Sequence, residues 1–169
     1  MAQPDRITSP VDSPELTPEE VFEQYHEMVY RLAASRTGSR HHADDVLQEV
    51  FLRYIRSRPV FLEEEHRKAW LLRVTVNCCN SLMGSAWLRR TVPLEERFAI
   101  RQKDHSELWD AVMRLSPTYR TVIHLFYFED CPIAEIAKIL DLSESAVKVR
   151  LHRARNKLRN LLEGVSNDV

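Results

Sequence analysis

Residues Ser143 to Arg159, SESAVKVRLHRARNKLR, set Lys148, Arg150, Arg153, Arg155, Lys157 and Arg159 against one acid, Glu144. A solvated helix normally interleaves acids at i,i+4 to offset such repulsion, and here the next acid is Glu163. The chemistry this stretch can do is therefore the gripping of a polyanion. A second set is acidic and polar: Asp44, Asp45, Gln48 and Glu49, spaced to lie on one outer helix face and suited to docking on another surface. Catalytic chemistry has no foothold, because neither a Gly-rich phosphate loop nor a Ser/His/Asp or Cys/His arrangement is present. Cys78 and Cys79 are adjacent and Cys131 stands far along the chain, a spacing that suits neither a metal nor a disulfide framework. They read as reduced, mostly buried thiols. His41 and His42 read as loop surface, lacking partners at a ligand spacing. The sequence thus calls for no enzyme activity, no metal and no cofactor.

The elements that must position these residues are helices. Three glycines in 169 residues, 44% apolar content and the lack of alternating Val/Ile/Thr runs predict an all-α protein. No signal-peptide pattern and no long apolar run is present, which predicts a cytoplasmic protein without membrane insertion. Pro4, Pro10 and Pro14 mark residues 1–16 as a solvated tail. TPEE at Thr17 is a capping box, and Val21, Phe22, Tyr25, Met28, Val29 and Leu32 follow at helical spacing up to Gly38. The second helix buries Ala43, Val46, Leu47, Val50, Phe51, Tyr54 and Ile55 and stops before Pro59. The third offers Trp70, Leu71, Val74, Cys78 and Leu82 to a core and ends near Gly84. Residues 85–103, with Pro93 and poor periodicity, read as a linker between a domain over 17–84 and a domain over 104–163, with 164–169 as a tail.

In the second domain Ser116 is positioned to cap a helix that begins at Pro117. PIAEIAKIL then buries Ile133, Ile136, Ala137 and Leu140, DLS turns, and Ser143 caps a helix that buries Val147, Leu151, Ala154 and Leu158. Helix, three-residue turn and basic helix form a helix-turn-helix pattern, with Asp141 where glycine is commonest. The apolar stripe sends Ser145, Lys148, Val149 and His152 outward, flanked by Arg153 and Arg155, so the predicted polyanion is duplex DNA read in the major groove. Lys138 to Arg159 holds seven basic residues and two acids, a net +5 that leaves −6 for the rest of a chain at −1. One small basic element neutralises few phosphates, so a protein of this charge needs a carrier on DNA.

ADDVLQEVFLRYIRS, then KAWLLRVTVNCCNSL, then IAEIAKILDLSESAVKVRLHRARNKLR resembles, in order and spacing, bacterial RNA polymerase sigma factors of the extracytoplasmic-function group, from about Glu19 to Glu163. The resemblance implies a non-catalytic specificity subunit with core RNA polymerase and promoter DNA as partners, and an anti-sigma factor as a further one. It implies that Asp44, Asp45, Gln48 and Glu49 meet the clamp helices of the largest polymerase subunit. Phe61 falls where the family captures a flipped base of the non-template strand, and Asn77 matches a position lining that pocket. Trp70 and Leu71 match a core-forming pair. Lys148, His152, Arg153 and Arg155 match the helix on the upstream promoter element, with Arg150 at phosphate. Two positions depart from the pattern. NCCNSLMGS is nearly neutral where the family is basic, which leaves Arg89 and Arg90 to supply phosphate contacts, and Ser145–Ala146 stands where Gly-Thr is frequent. A self-sufficient helix-turn-helix regulator, or a protein-binding adaptor, are the alternative readings.

Overall fold

Thr17 starts the first helix as its sequence requires. Its hydroxyl accepts the Glu20 N–H at 3.2 Å, the Glu20 carboxylate accepts the Thr17 N–H at 2.8 Å, and Pro18 occupies the first helical position. In the computed structural model, described here for residues 15–84 and 107–166, α1 runs Pro18–Thr37, α2 Arg40–Ser57 and α3 Glu64–Gly84. Gly38 closes α1 in the left-handed region, φ 70°, where a side chain would be strained, and its N–H reaches Ala34 O. Ser39 then caps α2 by accepting the His42 N–H at 3.3 Å. His41 and His42 consequently sit in the first turn of α2, not in a loop as expected. Arg58 ends that helix at φ 43°, one residue before Pro59.

The three helices enclose a core of Val21, Val29 and Leu32 from α1, Ala43, Val46 and Val50 from α2, and Leu71, Leu72 and Cys79 from α3. Thr75 is buried among them, its hydroxyl donating to Leu71 O at 2.7 Å. Two expected core residues lie outside. Phe22 is 41% exposed, its ring edge-on against Phe51 of α2, and Ile55 is 51% exposed. Trp70 is half-buried and packs edge-on against Tyr54.

The second unit is α4 (Glu107–Met113), α5 (Pro117–Ile123), α6 (Ile133–Leu140) and α7 (Glu144–Ser166). α5 runs on into a π-helical turn, His124–Phe128. Ser116 precedes α5 in extended conformation but makes no side-chain cap, so Pro117, with its fixed φ, starts that helix. Between α6 and α7, Asp141 takes the left-handed conformation at φ 54°, the Leu142 N–H returns to Ala137 O at 2.9 Å, and the Ser143 hydroxyl accepts the Ala146 N–H at 3.1 Å. Val147, Leu151 and Ala154 of α7 are buried against Val122, Leu125 and Ile136 in this unit's core. No strand occurs among the described residues. The stretch read as a linker, Arg89 and Arg90 included, lies outside them.

Burial pushes the Cys79 and Cys131 thiols up to about 12. A thiol whose proton is held more tightly folded than unfolded favours the fold most below the unfolded value, and that contribution disappears as the pH climbs through the folded one. Stability should therefore decline between the ordinary thiol value of 9.0 and about 12, and a variant with Cys79 and Cys131 changed to Ser should show a shallower decline in urea titrations. Leu151→Ala, at a position with 1% exposure, should cost about 2–5 kcal/mol in the same assay.

Candidate nucleic-acid interface

Burial of one stripe of α7 decides what the opposite side presents. Ser145, Lys148, Val149, His152 and Arg153 emerge as an exposed band along the first three turns. The Asn156 side-chain amide donates to His152 Nε2 at 3.1 Å, which holds the imidazole along the helix. Arg155 lies on one flank of the band and is fixed from outside the helix: its Nε donates to the Tyr127 hydroxyl at 2.7 Å, and its guanidinium lies over the Phe126 and Tyr127 rings. The π-helical turn sets those rings there, a contact across 28 residues that no local sequence signal marks. Lys157 reaches the Tyr119 ring in the same manner. Arg150 is half-buried on the other flank, close enough to Arg36 of α1 to disfavour charge on that guanidinium.

The first unit carries the other two sets. Asp44, Asp45 and Gln48 are exposed on α2, and half-buried Glu49 receives Arg53 Nε at 2.7 Å. His41 stands 3.6 Å from Asp45. Leu52 and Ile55 extend the same exposed band by two further turns, apolar residues that the sequence reading did not attach to it. A cleft of about 270 Å³ lined by Asp45, Glu49, Arg53, Cys78 and Leu82 borders the band.

Phe61 is held, half-buried, in the loop before α3. Its ring meets Trp70 edge-on with centroids 6.2 Å apart, and the Arg67 guanidinium lies 5.6 Å from its centroid. Arg67 in turn bonds Glu64, which accepts the Tyr25 hydroxyl, so a chain of polar contacts running from buried Arg67 and Tyr25 to exposed Glu64 fixes the floor under the ring. On either side Val60 and Leu62 are 81% and 90% exposed, an unusual presentation for residues of that type. Asn77 is exposed on α3 two turns after Trp70, with exposed Arg73 between, so that Phe61, Trp70, Arg73 and Asn77 follow one face. An aromatic ring, a cation and an amide in that order are the groups that receive an unstacked base and its phosphate. Among the described residues no His/Cys/Asp/Glu cluster could hold a metal ion, and no helix is long and apolar enough to cross a membrane.

The chain matches the family description Sigma-70 region 2 over residues 21–91 and Sigma-70, region 4 over residues 105–158. Over 149 residues it is 29% identical to the ECF RNA polymerase sigma factor SigM of Mycobacterium tuberculosis, covering 85% of this chain and 76% of that protein. The chain belongs to the extracytoplasmic-function group of sigma-70 factors. The sigma factor is also 27% identical to SigM of Bacillus subtilis over 168 residues, 90% of this chain and 99% of that one. In fold it is similar to the sigma factor RpoE of Bartonella quintana, solved with the anti-sigma factor NepR, at a TM-score of 0.73, 23% identity and coverage of 86% and 96% of the two chains. Promoter recognition and the start of transcription are thus the work this sigma factor directs, and the helix-turn-helix is one part of it.

Tyr127→Phe should leave the fold intact and release Arg155. DNA affinity should fall about two- to tenfold, the loss of one hydrogen bond of ordinary net strength. The slope of log affinity against log salt, measured by fluorescence anisotropy, should stay unchanged because the cation itself remains.

Proposed function

We propose that this sigma factor, a cytoplasmic protein with no catalysis of its own, works through three surfaces held in fixed order along one chain. The α2 band of Asp44, Asp45, Gln48 and Glu49 docks on the clamp helices of the largest subunit of core RNA polymerase. α7 enters the major groove of the upstream promoter element, with Ser145, Lys148, His152 and Arg153 toward base edges, Arg155 aimed by Tyr127, and Arg150 at phosphate. Phe61 and Asn77 take an extruded base of the downstream element between them, and Trp70 backs the Phe61 ring. An anti-sigma factor is a further partner, in keeping with the complex in which the RpoE relative was solved.

The observation that carries this reading is the pairing, in one chain, of a basic helix-turn-helix with a separate face on which Phe61, Trp70, Arg73 and Asn77 follow one another. A lone repressor needs only the first. Duplex binding and strand opening thereby fall to different residues and can be measured apart.

Phe61→Ala combined with Asn77→Ala should remove stacking worth about 1–3 kcal/mol, a five- to hundredfold loss in open complex. The test uses holoenzyme and a promoter selected by that holoenzyme from a random library. Permanganate reactivity of thymines near the start site should drop while duplex binding through α7 persists. A template with a pre-opened bubble should recover much of the transcription. Undiminished thymine reactivity on duplex DNA would remove the base-receiving role from these two residues.

A further inference from the structure

The stretch from His124 to Glu129 carries a bond pattern that an α-helix does not produce. In the π-helical turn His124–Phe128 the Glu129 N–H returns to His124 O at 3.2 Å, five residues back, where an α-helix bonds four back. The same two residues are joined a second time through their side chains. His124 Nε2 donates to Glu129 Oε1 at 3.1 Å, and His124 Nδ1 is buried without a hydrogen-bond partner, so the ring is tied through Nε2. That ring also stacks on Phe128, with centroids 5.2 Å apart, and Phe128 meets Trp109 of α4 edge-on.

Both ends of α5 and its π-helical extension are bonded to the first unit. At the start Arg36, in the last turn of α1, donates through Nη1 to the Thr121 hydroxyl and to Pro117 O, and through Nη2 to the Asn80 side chain of α3. The Arg36 carbonyl accepts Arg120 Nη2 at 3.1 Å, while Arg120 Nη1 donates to Met113 O at 2.8 Å. At the far end Lys68 of α3 donates through Nζ to Glu129 O at 2.7 Å. These bonds hold the ends in place and are indifferent to the register of the turn between them.

π-Helical turns are rare and occur mostly as single turns within α-helices, so the wide register needs a specific support. Side chains that meet on an α-helix stand three or four residues apart. A side-chain bond between residues five apart fits the wide turn and not the narrow one. That register also decides where the next rings go, since side chains beyond it are offset by up to about 100° from their places on a continuous α-helix. Phe126 and Tyr127 lie in the turn, with the Arg155 guanidinium 5.3 and 5.5 Å from their ring centroids and Arg155 Nε bonded to the Tyr127 hydroxyl.

We propose that His124 and Glu129 are positioning residues for DNA recognition: their side-chain bond holds the π register, and the register sets Phe126 and Tyr127 where they aim Arg155. This inference rests on the reading of α7 as the DNA-facing helix. With 1% and 6% of their surface exposed, His124 and Glu129 cannot meet DNA themselves and act through the exposed Tyr127.

The test is the full chain carrying His124→Leu with Glu129→Leu. Replacing both partners by apolar groups leaves no buried polar atom unpaired, so the fold should survive while the register loses its support. The Arg155 Nε–H resonance, assigned by its loss in Arg155→Lys, should shift toward its position in Tyr127→Phe. Affinity of the holoenzyme for an upstream-element duplex should fall about two- to tenfold, as one hydrogen bond of ordinary strength predicts. Adding Tyr127→Phe should then cost nothing further, because changes that break the same contact do not add. His124→Gln, whose amide nitrogen lies at the reach of Nε2, should restore the parent's resonance and affinity.

A pair that serves only the core would lower the urea midpoint and leave the Arg155 resonance unmoved, and that result overturns the proposal, as does a loss that adds in full to that of Tyr127→Phe. Should the double variant lose helicity, Glu129→Asp, which withdraws the acceptor by one methylene and keeps the charge, takes its place and the same readings decide. Arg155→Ala separates the two levels. If it leaves duplex affinity unchanged, the DNA role of Arg155 fails and the proposal with it. If it weakens binding while the double variant keeps both the resonance and the affinity of the parent, the proposal alone falls.

Discussion

The burial of Val147, Leu151 and Ala154 governs the C-terminal unit. Charged groups cannot follow an apolar stripe into a core, so once those three positions are committed, the cations of α7 have only the opposite arc to occupy. The same commitment draws α5 and α6 into contact with α7 and gives the turn at Asp141 its left-handed residue. DNA-facing chemistry is in this sense a by-product of packing. The basic side chains make few of the contacts that hold the unit together, and they are correspondingly free to meet phosphate.

The N-terminal unit solves a different problem, that of keeping an aromatic ring half out of water. Phe61 would collapse onto the nearest apolar surface if left to itself. Trp70 supplies that surface on one side only, and the Tyr25–Glu64–Arg67 chain stops the ring from sinking further. Burying a phenol and a guanidinium is costly unless they are hydrogen-bonded, and here both bond the exposed Glu64 carboxylate. The result is a ring with one committed edge and one available face. Burial and the Glu64 carboxylate both raise the Tyr25 phenol well above its ordinary range, so it stays a hydrogen-bond donor at any physiological pH.

Much of this was legible in the residues because the signals are local. A capping box, a glycine at the end of α1, a three-residue turn and a stripe at helical spacing each involve residues within about one or two turns, and each appears where expected. Phe22 and Ile55 were misplaced because periodicity identifies a stripe without giving its width, and in a three-helix unit the margins of the stripe face solvent. His41 and His42 belong to a helix because Ser39 caps it, a signal that lies outside the histidine pair itself. The support of Arg155 by Tyr127 and the bonding of Arg36 to Thr121 join residues 28 and 85 apart through neutral acceptors. No opposite charge advertises such partners, so pairing of acids with bases along the sequence does not find them.

In the contacts between the units the donors are side chains, while several acceptors, at Pro117, Glu129 and Arg36, are main-chain carbonyls. A carbonyl is supplied by whatever residue occupies the position, so substitution there leaves the acceptor in place. The side chains that decide these contacts are therefore chiefly Arg36, Arg120 and Lys68, none of which belongs to the groove-facing band of α7 or to the Phe61 face. Contact between the units and the DNA-facing surfaces occupy separate codons. A duplicated copy of this gene can drift toward units that hold together more or less tightly while the α7 band and the Phe61 face stay as they are, or change either face without altering that contact.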